Sequence, residues 1–170
     1  SKKKGVDIVG TGDILNPKWM QHVKKETTGK GLRKHGDTNF LLTTEIEDRN
    51  RVHHVLVFPS MAHVEASYTD FKQYSNDIRR EGRPRMDTSG ETLIEIAHKH
   101  DLLMGPAHAF TPYTGMYGKH DTLKDCYGQY SDQVDFLELG LSADSYMASK
   151  ISELEEISFL SNSDAHSPWP

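Results

Sequence analysis

Short apolar runs alternate along this chain with longer polar stretches of helical period. Residues 6–10 (Val-Asp-Ile-Val-Gly) read as a buried strand that ends in Gly10-Thr11-Gly12-Asp13. Asn16-Pro17 then starts a helix, with Asn16 as cap and Pro17 at its first position. Residues 40–46 and 52–58 are two more strands, joined by the short polar linker Glu47-Asp48-Arg49-Asn50-Arg51. The linker predicts an antiparallel hairpin that brings Glu45 close to His53 and His54. Helical patterns follow at 63–80 and 90–100, separated by Gly82-Arg83-Pro84-Arg85. Further strands are predicted at 102–108, 135–139 and 157–161, with a helical stretch at 121–127. Strands alternating with helices predict α/β architecture.

Composition narrows this picture. A chain of 170 residues suggests one domain and can bury a core without disulfides. The single cysteine, Cys126, excludes an internal disulfide and fits a reducing compartment. No apolar run reaches the roughly 18 residues of a membrane helix. The opening Ser1-Lys2-Lys3-Lys4-Gly5 lacks the apolar segment of a signal peptide. A cytoplasmic protein with no membrane partner is the expectation. The net charge of −5 argues against a general nucleic-acid coat. It does not exclude a phosphate-bearing substrate, because cations held by carboxylates can reverse the local charge.

Candidate chemistry gathers at the predicted strand ends: Asp13, Glu45, His54, His108, Asp164 and His166. An isolated Asp there is more often a helix cap, and an isolated His in apolar surroundings is more often a packed core residue. Six such positions, all oxygen or nitrogen donors, point to divalent cations. The many imidazoles suit zinc, manganese or iron more naturally than magnesium. Asp164-x-His166 after an apolar run can grip one ion, since residues two apart in an extended segment face the same way. Two or three cations imply hydrolysis: one lowers the pKa of a bound water and another stabilises the leaving oxygen. Phosphoester hydrolysis is favoured, with amide hydrolysis its rival. Neither Gly-x-Ser-x-Gly nor a phosphate-cradling loop competes.

The strings that carry this pattern are distinctive. They are Asp7-Ile8-Val9-Gly10-Thr11-Gly12-Asp13, Leu42-Thr43-Thr44-Glu45, His53-His54-Val55-Leu56-Val57-Phe58-Pro59, Gly105-Pro106-Ala107-His108-Ala109-Phe110-Thr111-Pro112, Asp135-Phe136-Leu137-Glu138-Leu139-Gly140 and Ser161-Asn162-Ser163-Asp164-Ala165-His166. With them the chain resembles the PHP (polymerase and histidinol phosphatase) metallohydrolases and, within these, the endonuclease Q family of DNA-repair nucleases. The resemblance implies a distorted (β/α)7 barrel, incomplete across residues 1–170. It implies two or three divalent ions (zinc, manganese or magnesium) held by Asp13, Glu45, His54, His108, Asp164 and His166. His53 is the less favoured of the adjacent histidines. Asp13, Glu45, His108 and Asp164 are the implied catalytic positions.

The family's opening His-x-His motif is absent, which predicts a fragment whose first motif lies upstream. His98-Lys99-His100 has that spacing but falls at a predicted helix end, where residues two apart do not share a face. The implied activity is metal-dependent cleavage of DNA on the 5′ side of deaminated bases such as hypoxanthine or uracil. DNA containing those bases, and other repair or replication proteins, are the implied partners. A small-molecule phosphoesterase of the same superfamily and a non-catalytic metal-binding domain are the alternatives.

Other positions invite two readings each. Lys24, Lys25, Lys30, Arg33, Lys34 and His35 form a basic stretch, and Arg79, Arg80, Arg83 and Arg85 a second. Either could meet DNA phosphates or face solvent. Tyr113, Met116 and Tyr117 could stack on a base or pack. Glu138 and Asp144 are candidates for orienting the ligands. Cys126 reads as a small packed residue.

Overall fold

The computed structural model describes residues 6–80 and 82–165. Its strands are β1 (Ile8–Gly10), β2 (Arg33–His35), β3 (Thr38–Glu47), β4 (His53–Phe58), β5 (Leu103–Pro106), β6 (Phe136–Glu138) and β7 (Ser158–Leu160). The helices are α1 (Pro17–Glu26), α2 (Met61–Lys72), α3 (Gly90–Lys99), α4 (Leu123–Tyr127) and α5 (Ser145–Ala148). β1 runs parallel to β3, whereas β2, β3, β4 and β5 pair antiparallel. β6 and β7 form a separate parallel pair. The hairpin expected from the 47–51 linker is present, with Glu47 opposite His53 and Glu45 opposite Val55.

Period-two alternation sets the two faces of this sheet. Leu42, Thr44 and Ile46 of β3 and Leu56 and Phe58 of β4 turn inward. There they pack with Val64 and Phe71 of α2 and Leu93, Ile94 and Ala97 of α3. Each such fully buried apolar side chain contributes about 1.5–3 kcal/mol. Glu45, Glu47 and His53 occupy the opposite face. α1 begins as its sequence predicts: the Asn16 side chain accepts hydrogen bonds from the backbone of Lys18 (3.0 Å) and Trp19 (3.3 Å). Thr122 and Asp125 form a reciprocal capping box that starts α4.

β5 and β6 approach closely because Gly105 has no side chain. A Cβ there would lie 2.0 Å from the Phe136 carbonyl oxygen. Asp135 stitches the two strands, its backbone N–H donating to the Met104 carbonyl (3.1 Å) and its carboxylate accepting from the Met104 N–H (2.8 Å).

Two expectations change. The strand at 6–10 is exposed, not buried: Ile8 is 50% exposed. The helix predicted over 63–80 stops at Lys72. Beyond it Ser75 donates to Asp77 (2.9 Å) and Asp77 accepts from the Arg85 backbone (3.0 Å), so side chains capture the groups a helix would need. Among the described residues the strands form a five-stranded and a two-stranded sheet with helices around them. This is a mixed α/β fold without a closed ladder. No helix of the described residues is long and apolar enough to cross a membrane.

Candidate metal centre

The open face of the β3–β4 hairpin brings together three donors. His53 Nδ1 lies 2.8 Å from Glu45 Oε1 and 3.0 Å from His108 Nε2. His108 Nε2 is 3.6 Å from the same Glu45 oxygen. One carboxylate oxygen and two imidazole nitrogens therefore converge on one point, close enough to share a cation. Glu47 backs this set, with His53 Nε2 3.2 Å from its Oε2. That contact fixes the His53 ring, as a carboxylate behind a ligating imidazole does.

His108 is positioned by its backbone as much as by its ring. Its φ is +30°, a left-handed conformation uncommon outside glycine. Gly140 makes room for it: a Cβ there would meet His108 Cβ at 2.7 Å, and Gly140 itself has φ +66°. The His108 N–H donates to the buried Glu138 carboxylate (3.3 Å). Asp13 (φ +39°) and Asp164 (φ +47°) share this left-handed backbone, so among the described residues half of the six such non-glycine residues are predicted ligand positions. Strained backbone of this kind gathers at functional sites.

Charge is unevenly balanced here. Burial pushes the Glu45 carboxyl up, but hydrogen bonds from His108 and His53 and the Arg83 guanidinium outweigh it and hold Glu45 well below the usual carboxylate range. Its hydrogen bond to Glu45 raises His108 despite burial. Burial raises Glu138. Arg83 contacts Glu45 Oε1 at 3.2 Å and Glu47 Oε2 at 3.7 Å, and Arg85 meets Glu47 Oε1 at 2.9 Å. A divalent cation fits the donors: a carboxylate and two imidazoles are the usual company of zinc or manganese.

The structure separates the predicted residues. Glu45 and His108 come together. Asp164 acts electrostatically on His108 and Glu138. Asp13 stands outside the three-donor cluster, its Oδ2 accepting from the Gly82 N–H (3.0 Å). His166 lies outside the described residues. His53, rather than His54, is the histidine beside Glu45. Adjacent strand residues face opposite sides, so His54 enters the core. There its Nδ1 pairs with the Tyr127 hydroxyl (2.9 Å) and its Nε2 lies 3.4 Å from Asp48 Oδ2, all three residues buried.

Other candidates resolve into structural parts. Asp144 caps α5 through the Met147 N–H (2.8 Å). Tyr117 stacks on Phe110 and donates to Glu153 (2.8 Å), while Met116 is fully buried. Tyr113 alone of that trio projects into solvent, 81% exposed. Arg33 is buried, bonded to Thr27 and Gly29, and Lys24 pairs with Glu65. Cys126 is packed as expected, yet it closes a buried group with Asp48 and His54. Glu47 and Arg83 were not singled out as partners of the site. Pairing positions across the predicted hairpin, Glu47 opposite His53, would have exposed Glu47.

No family model matches the chain. It is 33% identical to the uncharacterized protein YqxK of Bacillus subtilis over 188 aligned positions, covering 98% of this chain and 46% of that protein. It is 42% identical over 113 residues to the uncharacterized protein MJ0043 of Methanocaldococcus jannaschii, covering 66% of this chain and 13% of that protein. The chain thus spans less than half the length of these relatives. Among solved structures it superposes on the lesion-specific endonuclease PfuEndoQ of Pyrococcus furiosus with a TM-score of 0.92 and 48% identity, over 96% of this chain and 41% of that one. An endonuclease Q bound to a 27-mer duplex substrate with an abasic lesion at its active site gives a TM-score of 0.93 and 47% identity, over 98% of this chain and 42% of that one. PsfC of Pseudomonas syringae, at 16% identity and a TM-score of 0.59, shares the fold alone. Across almost its whole length, then, this chain is close to endonuclease Q in both sequence and fold, and it corresponds to about two fifths of that protein.

Proposed function

We propose that this chain is the catalytic PHP-type domain of a DNA-repair endonuclease that hydrolyses the phosphodiester on the 5′ side of a deaminated base such as hypoxanthine or uracil. The observation that carries the reading is the superposition on an endonuclease Q that holds duplex DNA with a lesion at its active site. The converging donors Glu45, His53 and His108 supply the matching chemistry. In this reading the two sheets are consecutive parts of an incomplete (β/α)7 barrel wall.

Glu45, His53 and His108 would hold a divalent cation, with Asp164 and Asp13 as further ligands from neighbouring loops and His166 as a candidate to complete the set. A bound cation there supplies positive charge against the scissile phosphate and acidifies water at neutral pH. The protein's own groups prepare that reaction. Glu47 holds the His53 ring in place (3.2 Å). Glu138 anchors the His108 backbone (3.3 Å). Arg83 neutralises Glu45 and Glu47. Its guanidinium is partly exposed and could also bind a DNA phosphate bidentately. A deaminated base sits in a weakened pair and is cheaper to extrude from the stack.

The test uses the full-length parent with manganese or magnesium and a duplex carrying one deoxyinosine. Incision 5′ to the lesion, lost on chelation, is the expected result. Absence of incision together with turnover of a phosphomonoester would replace this reading by a small-molecule phosphoesterase.

A further inference from the structure

Beside the candidate centre lies a cavity of about 830 Å³ whose aromatic and cationic lining the chemistry above does not use. Its volume falls in the range of pockets that enclose a small organic ligand, about 300–1,000 Å³. α1 supplies Lys18, Trp19 and His22, and the loop after α2 supplies Arg79 and Arg80. Asp13 is the one carboxylate in the lining.

The aromatic part is preorganised. Trp19 Nε1–H donates to the carbonyls of Thr11 and Gly12, both at 3.0 Å, which locks the indole. His22, one turn along α1, stacks on it with centroids 5.1 Å apart and planes 20° from parallel. Trp19 is nevertheless exposed. A large aromatic surface held open at the mouth of a cavity suits a flat ligand.

The cationic part is equally fixed. The buried Asn16 side chain donates to the backbone carbonyls of Arg79 (3.2 Å) and Arg80 (2.8 Å). The loop is thereby bolted to the start of α1 through its backbone carbonyls and not through its guanidiniums. Among the described residues no carboxylate forms an ion pair with Lys18, Arg79 or Arg80. Three cations with no ion pair among the described residues, beside one carboxylate, favour an anion. The cavity also adjoins the metal centre. Gly82 N–H binds Asp13 (3.0 Å), and the next residue, Arg83, contacts Glu45 (3.2 Å).

We propose that this cavity is a nucleotide subsite, in which a base lies against the Trp19–His22 platform and its phosphate is held by Lys18, Arg79 and Arg80. The proposal rests on the nuclease reading for its ligand class and extends it. A nucleotide of the strand bound at the metal centre occupies the cavity, so the platform senses the base next to the scissile phosphate.

The chain has two tryptophans, so a Trp169→Phe variant makes Trp19 the sole indole reporter. Its fluorescence is followed without metal, in EDTA, against 2′-deoxyadenosine 5′-monophosphate, deoxyribose 5-phosphate and inorganic phosphate. The nucleotide quenches Trp19 by half or more, whereas the two base-free phosphates do not quench but compete with it. Replacing Arg79 and Arg80 together by Ala weakens the nucleotide at least tenfold. In the full-length parent, Trp19→Ala raises KM for a deoxyinosine duplex about tenfold with kcat nearly kept, and Trp19→Phe restores it. No quenching at millimolar nucleotide, or quenching indifferent to the arginines, overturns the subsite. If nucleotide quenches but the parent never incises, the subsite stands and the endonuclease reading falls. If the parent incises and Trp19→Ala leaves KM unchanged, the reading stands and the subsite falls.

Discussion

On β4 the side chains of consecutive residues leave opposite faces of the sheet, and the charged groups on each face differ. His53 meets Glu45, Glu47 and His108 on the open face. His54 meets Asp48, Tyr127 and Cys126 inside. The Asp48 carboxyl, although raised by burial, is drawn below its ordinary value by the hydrogen bond from His54 and by the backbone of Val52 and Asn50. Removing His54 leaves a carboxylate without its partner in the core. His54→Ala therefore lowers the stability of the chain by about 3–5 kcal/mol, as measured by urea unfolding. His53→Ala has the opposite profile. It abolishes manganese binding in calorimetric titration and keeps the native circular dichroism spectrum. If the two variants exchange these phenotypes, the assignment of His53 to the metal is wrong.

Between elements, the same distinction explains His98-Lys99-His100. The motif has the spacing of a metal pair, yet it ends α3 and ties that helix to α2. Lys99 Nζ and His100 Nε2 both lie 2.7 Å from Asp70 Oδ2. Lys99 first, then His100, lower the Asp70 carboxyl from its ordinary 3.8. A carboxyl lowered in the folded state stabilises the fold above its unfolded value and loses that contribution as the pH falls through its folded one. Asp70→Asn accordingly lowers the thermal midpoint at pH 7, modestly, since an exposed pair is worth about 0.2–1 kcal/mol. The gap to the parent chain closes as the pH drops below 3.8 and also narrows in high salt. Thermal melts over a pH series check this, and a gap that widens in acid contradicts it.

For the molecule as a whole, the three donors come from separate places: Glu45 from β3, His53 from β4 and His108 from the turn after β5. A cation that binds all three links these segments only in the folded state, so binding adds to global stability. At a free concentration one hundred times its dissociation constant it adds about 2.7 kcal/mol. For a chain of this size that raises the thermal midpoint by roughly 5–10 °C. Differential scanning calorimetry with manganese, then with EDTA, measures the shift. It should vanish in His53→Ala, and a shift that persists there places the ion elsewhere.

Much of this was written locally in the chain. Asn16-Pro17 specifies the start of α1 because cap and first-turn chemistry act within a few residues. The polar linker at 47–51 specifies the hairpin, and Glu45 and His108 were legible as polar ends of apolar runs. Two kinds of feature were not. The choice between His53 and His54 depends on which face of the sheet receives α2 and α3, and that is settled by packing across the whole core. The Trp19–His22 platform with Arg79 and Arg80 joins positions about 60 residues apart through Asn16. No local pattern records such a juxtaposition, because it exists only once the loop after α2 has folded back onto the start of α1.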